Sequence, residues 1–290
     1  MTTNTNNFGN LIADADTDTV FFSDKLEKKC PNLFKSITQK LHDNGKNFRL
    51  LKNTNDIWCR DYMPIQTADK RFVFYKYNPD YLQYPRYIKT ITDVYKVDNI
   101  ECVKQCGEEM DLVMDGGNVV KCGDKVVMTE KVFVANRNKT VSEVKRLLKE
   151  KFQCEKIVFL PWDYMYEMYG HSDGIVHYLD NERVLLTDYE RNDAELAAKF
   201  RKILDKHFDV VSLDFEDVEH PHKSNWAYIN YLQVGNLVLV PKLGFDEEDN
   251  LAEQQIKAAL PNCKVEMVPN AMEAVNKGGA LNCISWNVKI

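Results

Sequence analysis

The chain has 290 residues, 44% hydrophobic and 28% charged, with a net charge of −6, a balance that argues against a disordered or fibrous protein. No apolar run reaches the roughly 18 residues of a membrane span, and Lys and Arg are nowhere gathered into a nucleic-acid footprint. The polar start MTTNTNNFGN lacks the basic and apolar parts of an export signal, so the eight cysteines are expected to be reduced thiols of a cytoplasmic protein.

Residues 1–18 are expected to be a partly ordered N-terminal segment of one domain spanning residues 1–290. A strand is expected at residues 19–22. A helix follows within 23–43, with Pro31 breaking it or opening its main part. FRLL at 48–51 has the length and composition of a strand. IQTADKRFVFY reads as a hairpin turning near Ala68-Asp69, and residues 85–104 as a degenerate helix and strand. NVVKCGDKVVMT turns at Gly123-Asp124. Thr140 and Glu143 form a capping-box pattern that opens a helix running to Phe152, and KIVFL at 156–160 is the next strand. IVHYLDNERVLLT turns at Asp180-Asn181. Asn192 or Asp193 caps AELAAKFRKILDKHF, and VVSL at 210–213 follows. YLQVGNLVLVP turns at Gly235-Asn236, a helix covers 246–260 until Pro261 stops it, and KVEMV at 264–268 precedes the terminal LNCISWNVKI.

This succession repeats. The polar residues that open the hairpins are Asp61, Asn118, Asp173, Asn230 and Cys283, at spacings of 57, 55, 57 and 53 residues. Each period reads as strand, strand, helix, strand. Five such units could form an open solenoid or a closed ring. A ring accounts for the odd ends, because the strand at 19–22 can pair with the last strand and complete a unit that begins at the C-terminus. The expected fold is therefore α/β, a five-bladed pseudo-fivefold α/β-propeller built from ββαβ units.

Radial repetition would bring Asp61, Asp115, Asn118, His171, Asp173, Asn230 and Cys283 around one cavity. His171 and Asp173, two apart in GHSDG, would share one face of an extended strand. His177 keeps that parity but lies about 20 Å further along. Trp58 beside Asp61 offers an aromatic wall for a cation. Taken singly, each residue also has an ordinary structural reading: a turn aspartate, a solvated histidine, a buried thiol. No GxGxxG or P-loop is present, Cys102 and Cys106 are too loosely spaced for zinc, and His220 and His222 read as solvated loop residues. A thiol and an imidazole can carry nucleophilic catalysis. Several carboxylates around them disfavour the thiolate, unless the substrate is itself a cation with paired N–H donors, as a guanidinium is.

WCRDYMP, MDGGN, EMYGHSDGIVHYL, AYINYLQVGNLVLVP and GGALNCIS resemble, in this order from about residue 47 onward, the motifs of the agmatine deiminase and bacterial peptidylarginine deiminase family. That resemblance implies the five-bladed propeller of the guanidine-modifying enzymes. It implies Cys283 as nucleophile, His171 as general acid and base, and Asp61 and Asp173 as the carboxylates gripping the guanidinium. Trp58, Asp115, Asn118 and Asn230 are the expected substrate-binding residues, with Asp115 standing where agmatine deiminases have Glu. The implied reaction takes agmatine to N-carbamoylputrescine and ammonia through a cysteine thiouronium, without a metal or organic cofactor. The partner is a small cationic guanidino substrate, and a homo-oligomer is compatible. Arginine or peptidylarginine deimination, amidino transfer, and non-catalytic binding of guanidines or polyamines are the alternatives on the same fold.

Overall fold

The computed structural model describes residues 9–165, 167–218 and 222–290. After β1 (Thr19–Ser23) come α1 (Leu26–Lys29), α2 (Pro31–Asp43) and β2 (Asn47–Leu51). Pro31 opens α2, since a missing N–H costs nothing in the first turn. Leu33, Ile37 and Leu41 then form its buried stripe. Next are α3 (Cys59–Tyr62), the hairpin β3 (Ile65–Ala68) and β4 (Arg71–Lys76), α4 (Glu101–Gln105) and β5 (Gly107–Val113). The hairpin β6 (Val120–Cys122) and β7 (Lys125–Thr129) leads to α5 (Lys131–Ala135), α6 (Val141–Phe152) and β8 (Lys156–Leu160). A third pair, β9 (Val176–Asp180) and β10 (Arg183–Leu186), precedes α7 (Ala194–Leu204) and β11 (Asp209–Ser212). The fourth, β12 (Leu232–Val234) and β13 (Leu237–Pro241), precedes α8 (Asp246–Ala259) and β14 (Lys264–Val268), and α9 (Met272–Val275) and β15 (Ser285–Val288) end the chain.

The strands form five three-stranded sheets in the orders β3-β4-β5, β6-β7-β8, β9-β10-β11, β12-β13-β14 and β15-β1-β2. In each, the middle strand has one antiparallel and one parallel neighbour. A parallel neighbour needs a crossover, which the helices of each unit supply. The last sheet joins the two ends of the chain: Thr19 faces Val288 and Phe22 faces Ser285. Successive units also touch through their helices. α6 packs on β8 of its own unit and on β5 of the one before, α7 on β11 and β8, and α2 on β2 and β14. Among the described residues, no helix is long and apolar enough to cross a membrane.

Local chemistry explains several element starts. The Thr140 hydroxyl accepts from the Glu143 N–H at 3.2 Å, and the Glu143 carboxylate accepts from the Thr140 N–H at 2.7 Å, which satisfies donors that α6 leaves free. Asp193, rather than Asn192, caps α7 by accepting from the Leu196 N–H at 2.9 Å. Gly123 and Gly235 take the left-handed turn positions with φ of 62° and 57°, where a Cβ is disfavoured.

Two expectations need correction. The third turn falls at Asn181-Glu182, one residue later than expected, because Asn181 takes the left-handed φ of 45°, which asparagine tolerates better than Asp180 would. Residues 85–104 hold no strand. They form 3-10 turns at Ile88–Thr90 and Val94–Lys96 and the start of α4, and the strand of that unit lies beyond them, in β5. Tyr87, Ile88 and Tyr95 are exposed there, while Val94, Val97, Ile100 and Val103 are buried in the core, so the segment packs through short turns.

Candidate active site

Each hairpin is preceded by a short helical turn, and these turns carry the polar residues of the repeat. Asp61 lies in α3, while Asp115 and His171 each stand immediately before a 3-10 turn, Gly116–Asn118 and Ser172–Gly174. His171 therefore precedes a turn and Asp173 lies within it, and they are not on an extended strand, contrary to the parity argument; Gly170, at φ 70°, redirects the chain just before them. Asn230 follows the turn Asn225–Tyr228, and Cys283 lies just before β15.

The turns converge. The Cys283 sulfur is 3.8 Å from Asp173 Oδ2. His171 lies between two carboxylates, with Nε2 at 3.0 Å from Asp115 Oδ2 and Nδ1 at 3.7 Å from Asp61 Oδ1. Asp61, Asp115, His171, Asp173 and Cys283 are all buried. A Cβ at Gly117 would come within 2.7 Å of both Asp61 Oδ1 and His171 Nδ1, so only glycine leaves its N–H free to reach Asp61 Oδ1, at 3.1 Å. Trp58 is half-buried, and its ring covers Gly279, whose own position borders the Cys283 Cβ.

Asn118 and Asn230, expected as substrate contacts, each make hydrogen bonds within the protein. Asn118 Oδ1 accepts from the Thr129 N–H at 2.7 Å, which ties its turn to β7. Asn230 Oδ1 accepts from the Cys283 N–H at 3.2 Å, and its Nδ2 donates to the Asp173 carbonyl at 3.3 Å, joining the thiol's turn to the carboxylate's. His177 is buried against the Tyr231 ring, 3.8 Å between centroids, away from these contacts. His222 stacks on Phe245, and His220 lies outside the described residues.

Sequence reasoning missed four participants. Glu167 accepts from the His171 N–H at 2.9 Å. Tyr81 donates to Asp115 Oδ2 at 2.9 Å, sharing that oxygen with His171. Arg60 donates to Asn282 Oδ1 at 2.6 Å, and Asn282 donates to Asp173 Oδ2 at 2.6 Å. Arg60 and Asn282 each directly precede a predicted site residue, which was the available signal.

The profile of the Porphyromonas-type peptidyl-arginine deiminase family matches residues 4–288. The chain belongs to this family. "Putative agmatine deiminase 1" of Listeria monocytogenes is 27% identical over 81% of this chain and 76% of its own length. The solved agmatine deiminase of Enterococcus faecalis superposes with a TM-score of 0.73 at 19% identity, covering 98% of this chain and 96% of the other. That of C. jejuni gives 0.73 at 17%, covering 97% and 96%. The fold of this family member is thus the mixed α/β fold of those enzymes.

The electrostatics of this cluster follow from burial and crowding. Burial lifts the Asp61 carboxyl to about 7, with the Asp115 and Asp173 carboxylates adding to the rise against His171 and the Gly117 N–H. Burial likewise raises Asp173, opposed by His171 and the Asn282 amide. Burial alone would lower His171, but Asp61, Asp115 and Glu167 outweigh it and hold the imidazole well above its usual value, as a cation. The Cys283 thiol is pushed far up, by burial and then by Asp173 and Asp61. The protein thus holds a thiol, an imidazolium and crowded carboxylates whose mutual repulsion a cation would relieve.

Proposed function

We propose that the chain is a deiminase that hydrolyses a guanidino compound, agmatine first among them, to its ureido product and ammonia. The observation that carries this reading is the Cys283 thiol, 3.8 Å from Asp173, in the same cluster as a His171 clasped by Asp61 and Asp115. The five sheets are read as five blades of one catalytic propeller spanning residues 1–290, with this cluster at its axis. Agmatine is favoured by the names of the relatives, and peptidyl-arginine, the second reading, by the family description.

In this reading Asp61 and Asp173 hold the guanidinium and set its carbon beside the sulfur. The bound cation cancels the carboxylate field that keeps Cys283 protonated, the thiol loses its proton to solvent, and the thiolate attacks the carbon. The adduct collapses as cationic His171 gives its proton to the departing nitrogen, and ammonia leaves a thiouronium. Neutral His171 then takes a proton from water as the water's oxygen bonds to carbon. The C–S bond breaks as the adduct's hydroxyl proton passes to the departing sulfur, restoring the resting thiol and releasing the ureido product. Asp115 orients the imidazole throughout.

The test is ammonia release, with parallel detection of the ureido product, from agmatine, free arginine and a blocked arginine peptide. Turnover of one of them, lost at least a thousandfold in Cys283→Ala, is the expected result and names the tail the site accepts. No turnover of any guanidine by folded, reduced protein would overturn the proposal.

A further inference from the structure

Resting on that reading, we propose that Arg60 is a positioning residue: acting through Asn282, it fixes the Asp173 carboxylate as the acceptor that grips the guanidinium. Arg60 is 7% exposed and Asn282 4%. The guanidinium of Arg60 bonds both oxygens of Asn282, the side-chain one at 2.6 Å and the backbone one at 3.4 Å. The Arg60 backbone N–H donates to the Cys283 carbonyl at 3.2 Å. It thus bridges the α3 turn that carries Asp61 to the turn that carries the nucleophile.

The direction of these bonds is forced. Arginine can only donate, so Asn282 must turn its oxygen toward Arg60. Its NH2 then faces Asp173 Oδ2, at 2.6 Å. Without a donor-only partner, a carboxamide could flip and set oxygen against oxygen. With one, Asp173 Oδ2 is held as an acceptor. The charge of Arg60 is balanced from the other side by Asp14 Oδ2 at 3.3 Å, which places the N-terminal segment in the same chain of contacts. Arg60, Asn282, Asp14 and Asp173 share a cavity of about 30 Å³, enough for an ordered water but not for a competing ligand.

Asp173 is faced by several charged or titratable groups: His171 of its own turn, Asp61 and Arg60 of α3, and Cys283 before β15, with Asp14, Lys121 and His177 around the shared cavity. Removing Asn282's donation should let Asp173 take up a proton at a higher pH. A residue that merely fills space would not shift that titration.

The experiment measures agmatine affinity by titration calorimetry from pH 5 to 8 in the Cys283→Ala protein, where no turnover interferes. Added to this background, Arg60→Gln and Asn282→Ala should each weaken binding about tenfold. Both should also raise the pH at which binding is half lost. Arg60→Lys, still a donor only, should recover part of the loss. The double variant should bind no worse than Asn282→Ala alone, because Arg60 acts through Asn282. Multiplying losses with an unmoved pH midpoint, or unchanged binding in Arg60→Gln, would overturn the proposal. If Arg60→Gln does not fold by circular dichroism, Asn282→Ala and its pH midpoint decide the matter. Absence of guanidine binding in Cys283→Ala itself is a separate result: it removes the deiminase reading, and this proposal with it, before any variant at 60 or 282 is made.

Discussion

Asp61 carries the clearest pH consequence, because its carboxyl stands near 7 and must be charged to hold a cation. On a guanidine substrate, kcat/KM should rise about tenfold per pH unit up to a limb near pH 7 and then level; rate measurements between pH 5 and 9 check this. Stability runs the other way. The folded group holds its proton well above the roughly 3.9 of an unfolded aspartate, so its contribution is lost as pH rises from about 4 through 7. Gly117→Ala should cost activity about a hundredfold or more, since the added methyl strikes Asp61 and His171 together; steady-state kinetics beside a melting curve separate this from unfolding. The acids, the imidazole and the thiol could be read from residue type and spacing. Tyr81 and Glu167 could not, because a tyrosine 34 residues from Asp115 and an acid in an aromatic loop have no local pattern that reveals their partners.

At the level of elements, the signals that held are those with a local physical cause. The Thr140–Glu143 box and Asp193 cap their helices through bonds three residues apart, which a sequence displays directly. The turn at Gly235-Asn236 is likewise set by a residue suited to positive φ. The strand assigned to His171 and Asp173 failed because parity has meaning only once the backbone is extended, and Gly170 and Gly174 border a 3-10 turn instead. Capping and catalysis are also separable. Thr140→Ala should destabilise the protein by about 1 kcal/mol, seen as a lower denaturation midpoint, while kcat stays unchanged, since Thr140 is exposed and touches none of the site residues.

For the whole molecule, the pairing of β1 with β15 matters more than any single contact. It was legible because the repeat left one unit short at each end, and two halves make a whole. Deleting residues 1–23 should abolish turnover even though every predicted site residue lies beyond them, because β15 then loses its partner a few residues from Cys283; kinetics and circular dichroism on the truncated chain test this. The same pairing sets an order in time. During synthesis β1 emerges early and must wait with an open edge, a site for wrong pairing, until the strand that follows Cys283 is made. Cys283 is made after Asp61, Asp115 and Asp173 and meets carboxylates already synthesised. A nascent chain or prematurely terminated fragment ending before residue 283 therefore carries Asp61, Asp115 and Asp173 without the thiol that the proposed mechanism uses as nucleophile. In the proposed mechanism, cutting a C–N bond then waits on closure of the last sheet, so the order of synthesis withholds activity from an unfinished chain.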